Sequence, residues 1–171
     1  MICFITAALS ADGYIARDSE HAAFWTSKDD KRRFVEITKR AGVVVMGLNT
    51  YTTLDKPLKD RLNIVYSPEK LPEIKDAATG KNILETTSKS PHELLHELNE
   101  RGFKEVAICG GSQIYTMFME SGVVNKLYIT IEPILFGAGI KLFGRNLDHR
   151  LILRNSTQTG DSTLLLEYDV I

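Results

Sequence analysis

Short apolar runs alternate along this chain with stretches of helical periodicity, and no other feature restricts its fold as much. Ile2 to Leu9 reads as a buried strand, Ser27 to Gly42 as a helix, and Val43 to Met46 as a second strand. A short helix starts near Asn49. Leu62 to Tyr66 is a strand, and Asn82 to Glu85 a weaker one. Ser90-Pro91-His92-Glu93 opens a helix with a capping box and proline in its first turn, and Gly102 closes it. Glu105 to Cys109 is a strand, Ser112 to Glu120 a helix ended by Gly122, and Lys126 to Ile131 a strand. Two longer strands, Arg150 to Thr157 and Thr163 to Val170, form a hairpin through Thr159-Gly160-Asp161. Strand–helix alternation followed by a hairpin predicts one α/β domain over residues 1–171, a mainly parallel sheet flanked by helices with an antiparallel edge.

The Ser27–Gly42 helix carries its apolar stripe through Phe34, Ile37 and Ala41. Four residues before Phe34 lies Asp30, so a carboxylate sits on the inward stripe, while Asp29, Arg33, Glu36 and Arg40 take the solvated side. A carboxylate aimed into an apolar pocket loses hydration, and its pKa rises toward neutrality. A plainer role competes: Ser27 and Asp30 also suit the N-cap and N3 positions of a helix start.

Two places share the order apolar strand, glycine, helix: Val45-Met46-Gly47-Leu48-Asn49-Thr50 and Ile108-Cys109-Gly110-Gly111-Ser112-Gln113-Ile114-Tyr115. Glycine there lets a ligand approach the backbone, and free N–H groups at the helix start attract phosphate. A pair of such corners fits a dinucleotide diphosphate, although either glycine alone also serves as a simple turn. No G-x-G-x-x-G follows the first strand, which disfavours a Rossmann dehydrogenase. His92-Glu93-Leu94-Leu95-His96 has the spacing of a zinc site. Glu93 is already the N3 partner of Ser90, however, and no third ligand follows at a suitable spacing, so no metal is expected.

Net charge is −1, which removes any general electrostatic pull toward nucleic acid, and Lys31-Arg32-Arg33 reads as a solvated helix face. No apolar run approaches the ~18 residues of a membrane span, and Met1 to Thr6 lacks the features of a signal peptide. Cys3 and Cys109 lie in apolar runs and are expected as free thiols of a cytoplasmic protein.

Taken together, Met46-Gly47-Leu48-Asn49-Thr50-Tyr51, the spacing Trp25…Asp30…Phe34…Thr38, Lys56-Pro57-Leu58…Arg61…Asn63-Ile64-Val65…Ser67 and the Cys109–Tyr115 run resemble dihydrofolate reductase. The resemblance spans nearly the whole chain. It implies an eight-stranded mixed sheet and a nicotinamide cofactor. Asp30 would bind the pterin's amino group and N3, Phe34 would pack on the ring system, Thr130 would brace the carboxylate, and Trp25 would hold a water. Arg61 would take the α-carboxylate of folate through its bidentate fork. Thr6, Ala8, Leu54 and Cys109 would complete the substrate pocket. On the cofactor side the resemblance implies Ala8 and Ile15 at the nicotinamide, and Thr50 and Ser67 at ribose and phosphate. Gly47, Leu48, Asn49, Gly110, Gly111, Ser112, Gln113, Ile114 and Tyr115 follow, with Gly110 and Gly111 joined by a cis peptide. Simpler roles stand beside these: Trp25 as core, Arg61 as an exposed arginine, Thr130 as a strand threonine.

Leu48 and Gln113 replace basic residues that the family places near the 2′-phosphate, so NADPH is expected with an unusually small preference and NADH as a tolerated donor. Pro133 to Phe143 and Ser10 to Ala16 look more like the sister family, the reductase domain of riboflavin biosynthesis, whose Asp-Asp-Pro signature is partly present as Asp55-Lys56-Pro57. The Trp25, Asp30 and Phe34 set favours a pterin. The sequence thus reads first as an NADPH-dependent dihydrofolate reductase, a monomer or homodimer acting on a small-molecule folate. Alternatives are a reductase of a ribosylaminopyrimidine phosphate and a nucleotide-binding module without catalysis. Ala16 to Phe24 would form a loop closing over the nicotinamide.

Overall fold

The computed structural model describes residues 1–54 and 56–171. Asp55, the first residue of the partial sister signature, lies outside them. An eight-stranded sheet has the order β5-β4-β3-β6-β1-β7-β10-β9. Its members are β1 (Ile2–Ser10), β3 (Val43–Gly47), β4 (Leu62–Tyr66), β5 (Leu84–Thr87), β6 (Glu105–Ile108), β7 (Lys126–Glu132), β9 (Leu151–Thr159) and β10 (Thr163–Val170). Neighbouring strands from β5 to β7 run parallel, and β10 pairs antiparallel with both β7 and β9. The expected class and strand number are those observed.

The inner strands are apolar on both faces because helices cover both, and strand alternation divides their side chains between two cores. Phe4, Val44, Val65 and Ala107 turn toward α1 (Lys28–Ala41) and meet Ile37 and Ala41. Ile5, Val45, Ile64 and Val106 turn the other way, toward α3 (Pro91–Glu100) and α4 (Ser112–Glu120), and pack with Leu94, Leu98 and Phe118. Burying each such side chain stabilises the fold by ~1.5–3 kcal/mol relative to exposure.

Helix ends follow their local chemistry. Ser27 caps α1 by accepting from the Asp30 N–H at 3.1 Å, and Gly42 ends the helix in the left-handed region at φ 73°. The capping box of Ser90 and Glu93 forms as expected. A fourth helix, α2 (Leu48–Thr52), has a single turn.

Four differences stand out. Tyr14–Ala16 (β2) and Ile140–Lys141 (β8) form a separate two-stranded sheet. Both are too short to show periodicity, so neither is legible in the sequence. Ala23–Trp25 is a 3-10 turn. β5 begins at Leu84, while Asn82 instead bridges Lys75. β9 is exposed along almost its whole length, as an edge strand with no helix over it.

Candidate active site

The carboxyl ends of β1, β3, β4 and β6 and the starts of α1, α2 and α4 surround a cavity of about 1490 Å³. This is the crevice that open α/β sheets offer to ligands. Tertiary pairing unites the two glycine corners, since β3 and β6 are adjacent and the Gly47 N–H donates to the Gly110 carbonyl at 2.7 Å. Gly110 and Gly111 are joined by a cis peptide. A Cβ on Gly47 would lie 3.1 Å from Ile114 Cγ1, and one on Gly111 3.2 Å from Thr50 Oγ1. Among the described residues no side chain caps α4. A close-fitting glycine cradle against an uncapped helix start suits a diphosphate.

The wall that carries the expected substrate residues is built on α1. Asp30 lies on its first turn and lines the cavity, with Phe34 one turn later on the same wall. Burial pushes the Asp30 carboxyl above its ordinary value. The Thr130 and Thr26 hydroxyls oppose this, the nearby Glu132 adds to it, and Lys31 weakly opposes it. Thr6, Ala8, Ile15, Leu54 and Cys109 line the same space, and the Tyr115 hydroxyl donates to the Thr6 carbonyl at 2.8 Å. Burial drives the Cys109 thiol up to about 12, so it is protonated at neutral pH. Trp25 forms part of the wall, and its indole Nε1 is buried without a hydrogen-bond partner among the described residues. That N–H is available to an acceptor supplied by solvent or ligand.

Leu48, Asn49, Thr50, Ser67, Ser112, Gln113 and Ile114, the expected cofactor residues, line the cavity around the glycine corners. Ser67, Thr87, Ser88 and Ser90 make one hydroxyl-rich edge, and Lys89 supplies the cation there, paired with Glu97.

Two expected residues stand back from the cavity wall. Thr130 is buried on β7 behind Asp30, where its hydroxyl acts on the carboxylate. Arg61 is only 6% exposed. Its Nη1 donates to Thr38 Oγ1 and its Nε to the Lys59 carbonyl at 2.8 Å, and it does not line the cavity.

Other residues at the mouth went unnoticed in the sequence. Lys31, read there as part of a solvated basic run, lines the cavity and donates to the Phe24 carbonyl at 3.3 Å. Phe24, at the end of the expected loop, is 82% exposed on the rim. Beside them His21 and Phe136 pack against Trp25, with ring centroids 6.3 and 4.9 Å away. Asp12 secures Phe136 by accepting from its N–H at 3.1 Å and from the Gly137 N–H at 2.6 Å.

His92 and Glu93 of the zinc-like spacing are engaged otherwise. Glu93 accepts from the Ser90 N–H and hydroxyl at 2.9 and 2.7 Å, and His92 Nε2 contacts the Ser121 carbonyl at 3.0 Å.

Comparison with known proteins adds the following. The profile of the RibD C-terminal domain family matches residues 2–165. Dihydrofolate reductase of Gallus gallus is 34% identical over 98 residues, which cover 53% of this chain and 48% of that protein. The chain thus spans about half the length of the curated relative it matches. A Shewanella sp. PV-4 protein ascribed to riboflavin biosynthesis superposes with a TM-score of 0.77 at 24% identity, over 100% of this chain and 99% of that one. A diaminohydroxyphosphoribosylaminopyrimidine deaminase/5-amino-6-(5-phosphoribosylamino)uracil reductase from Thermotoga maritima gives 0.78 at 16%, over 98% and 56%. A pyrimidine reductase-like protein from Corynebacterium diphtheriae gives 0.75 at 17%, over 99% and 92%. At these identities the structural likenesses establish the fold.

Proposed function

We propose, from the premise that this chain belongs to the RibD C-terminal domain family, that it is an NADPH-dependent reductase of a ribosylaminopyrimidine phosphate of the riboflavin-forming type. When bound, NADPH supplies the hydride. The glycine cradle at Gly47, Gly110 and Gly111 would hold its diphosphate, with Ala8 and Ile15 beside the nicotinamide. Asp30 would accept two N–H donors from the amino-bearing edge of the pyrimidine, and Thr130 and Thr26 would steady it as a carboxylate. Phe34 would pack on the ring, and Lys31 at the mouth would meet the phosphate. Alignment of ring and nicotinamide is the protein's main contribution to rate.

Arg61 carries the choice of a phosphate-bearing pyrimidine over folate. The glutamate tail of folate needs an accessible guanidinium, and Arg61 is buried and engaged by Thr38 and Lys59. Dihydrofolate remains the second reading. The identity to the Gallus gallus enzyme and the Asp30–Phe34 wall favour it.

Loss of NADPH absorbance, followed with each substrate in turn, separates the readings. Turnover of the pyrimidine phosphate with dihydrofolate at background is expected. Preferential turnover of dihydrofolate would transfer the assignment to the second reading, and no turnover of either would leave a nucleotide-binding module. Asp30→Asn is expected to lower kcat/KM on the active substrate by ~100-fold.

A further inference from the structure

The most unusual group outside the cavity wall is Glu132, at the carboxyl end of β7. It is 3% exposed, and no cation pairs with it among the described residues. Both of its oxygens are nonetheless used. Oε1 accepts from the Ser27 backbone N–H at 2.8 Å, and Oε2 from the Thr163 hydroxyl at 2.9 Å. A buried carboxylate held only by neutral donors costs stability that a paired cation would offset, so its retention points to a role.

Its position indicates the purpose. Strand alternation places Tyr128, Thr130 and Glu132 on one face of β7, the face under α1. Thr130 lies against Asp30, and Glu132 lies one step further, against the residue that caps the helix. Ser27 then links the Glu132 carboxylate to the backbone of Asp30: its N–H donates to Glu132, and its hydroxyl accepts from the Asp30 N–H at 3.1 Å. Thr163 ties the same carboxylate to the start of β10.

We propose that Glu132 is a positioning residue for Asp30, fixing the first turn of α1 through Ser27 and placing a second buried carboxylate beneath the one that would bind substrate. The assignment of Asp30 to substrate binding rests on the function proposed above; the electrostatic link between the two carboxylates does not. Among the described residues, the other titratable groups acting with Asp30 are Lys31 on α1 and Tyr115 on α4. Asp161, on the turn before β10, borders a small cavity together with Glu132.

Glu132→Gln tests this, because a carboxamide keeps the shape and an acceptor for Ser27 while removing the charge. The Asp30 carboxyl is titrated by ¹³C NMR in the full chain without substrate, with Asp30→Asn giving the assignment. The midpoint is expected to fall by at least ~0.5 of a pH unit in Glu132→Gln. Where a substrate turns over, the acid limb of the kcat/KM profile follows it. A midpoint unchanged from wild type overturns the proposal whichever substrate the enzyme takes. Ser27→Ala provides a second test, since it removes the hydroxyl link and leaves the Glu132 charge in place. It is expected to raise KM by ~5-fold with the Asp30 midpoint held within ~0.2 unit. A wild-type KM in that variant overturns the positioning role.

Discussion

At the residue scale, the burial of the Asp30 carboxylate costs stability at neutral pH. Its folded pKa is raised from 3.8 by burial. Above 3.8 the native state therefore holds its proton more tightly than the unfolded chain, and stability declines as pH rises through the interval up to the folded pKa. Asn carries no such charge. Asp30→Asn should thus melt at a higher temperature than wild type at neutral pH, and the difference should disappear below pH 3.8. Thermal unfolding across that range measures it; a variant less stable than wild type at neutral pH would contradict the desolvation account. Leu48 makes a second prediction. It lines the cavity beside the glycine corners, the end proposed for the cofactor, where Lys89 is already paired with Glu97. An arginine at position 48 would offer a charge-assisted bond to a 2′-phosphate. Leu48→Arg is expected to increase the NADPH over NADH ratio of kcat/KM by ~10-fold, about 1.4 kcal/mol. An unaltered ratio would place phosphate recognition elsewhere on the rim.

At the scale of elements, the segments around β2 and β8 work as one brace. Asp12 gathers Ser10, Phe136 and Gly137, and Phe136 in turn supports Trp25 and His21 at the cavity. These donors lower the Asp12 carboxyl from 3.8 to about 2, the Ser10 hydroxyl acting most strongly. A lowered pKa contributes stability above pH 3.8 that is lost as pH falls toward about 2. Urea midpoints of wild type and Asp12→Asn should therefore differ at pH 5 and converge toward pH 2. KM should also rise in the variant, because Trp25 loses its support. Parallel midpoint curves would show that the carboxylate's charge is not what holds the brace. The brace also shows what motif reading misses: Ser10–Ala16 and Pro133–Phe143 stood out in the sequence as family marks, yet their partnership spans more than a hundred residues and is visible only in space.

At the scale of the whole molecule, the cavity joins two halves of the sheet, and a ligand across it should couple them. NADPH binding only the folded chain stabilises it by ~2.7 kcal/mol at a hundredfold excess over its Kd. A melting-temperature rise of several degrees with NADPH is expected, and a smaller one in Gly111→Ala, whose Cβ would crowd Thr50 Oγ1 at 3.2 Å. Equal shifts in the two proteins would exclude the glycine cradle as the diphosphate site.

By itself the sequence determined the strands of the main sheet, the helices and their inward faces, though not β2, β8 or the turn at Ala23–Trp25. Strand alternation, the capping box at Ser90, the helical spacing of Asp30 and Phe34, and the terminal hairpin are all local in the chain, so residue order reveals them. The resemblance to dihydrofolate reductase was sound at the level of the superfamily. The finer reading leans instead toward the sister family, whose profile covers residues 2–165. Tertiary structure alone decided three matters: that Gly47 meets Gly110, that Arg61 turns away from the cavity toward Thr38, and that Glu132 lies beneath the helix bearing Asp30. Each depends on parallel strands or a helix packed from distant parts of the chain. In such pairings the geometry of the whole sheet, and no local preference, sets which side chains come together.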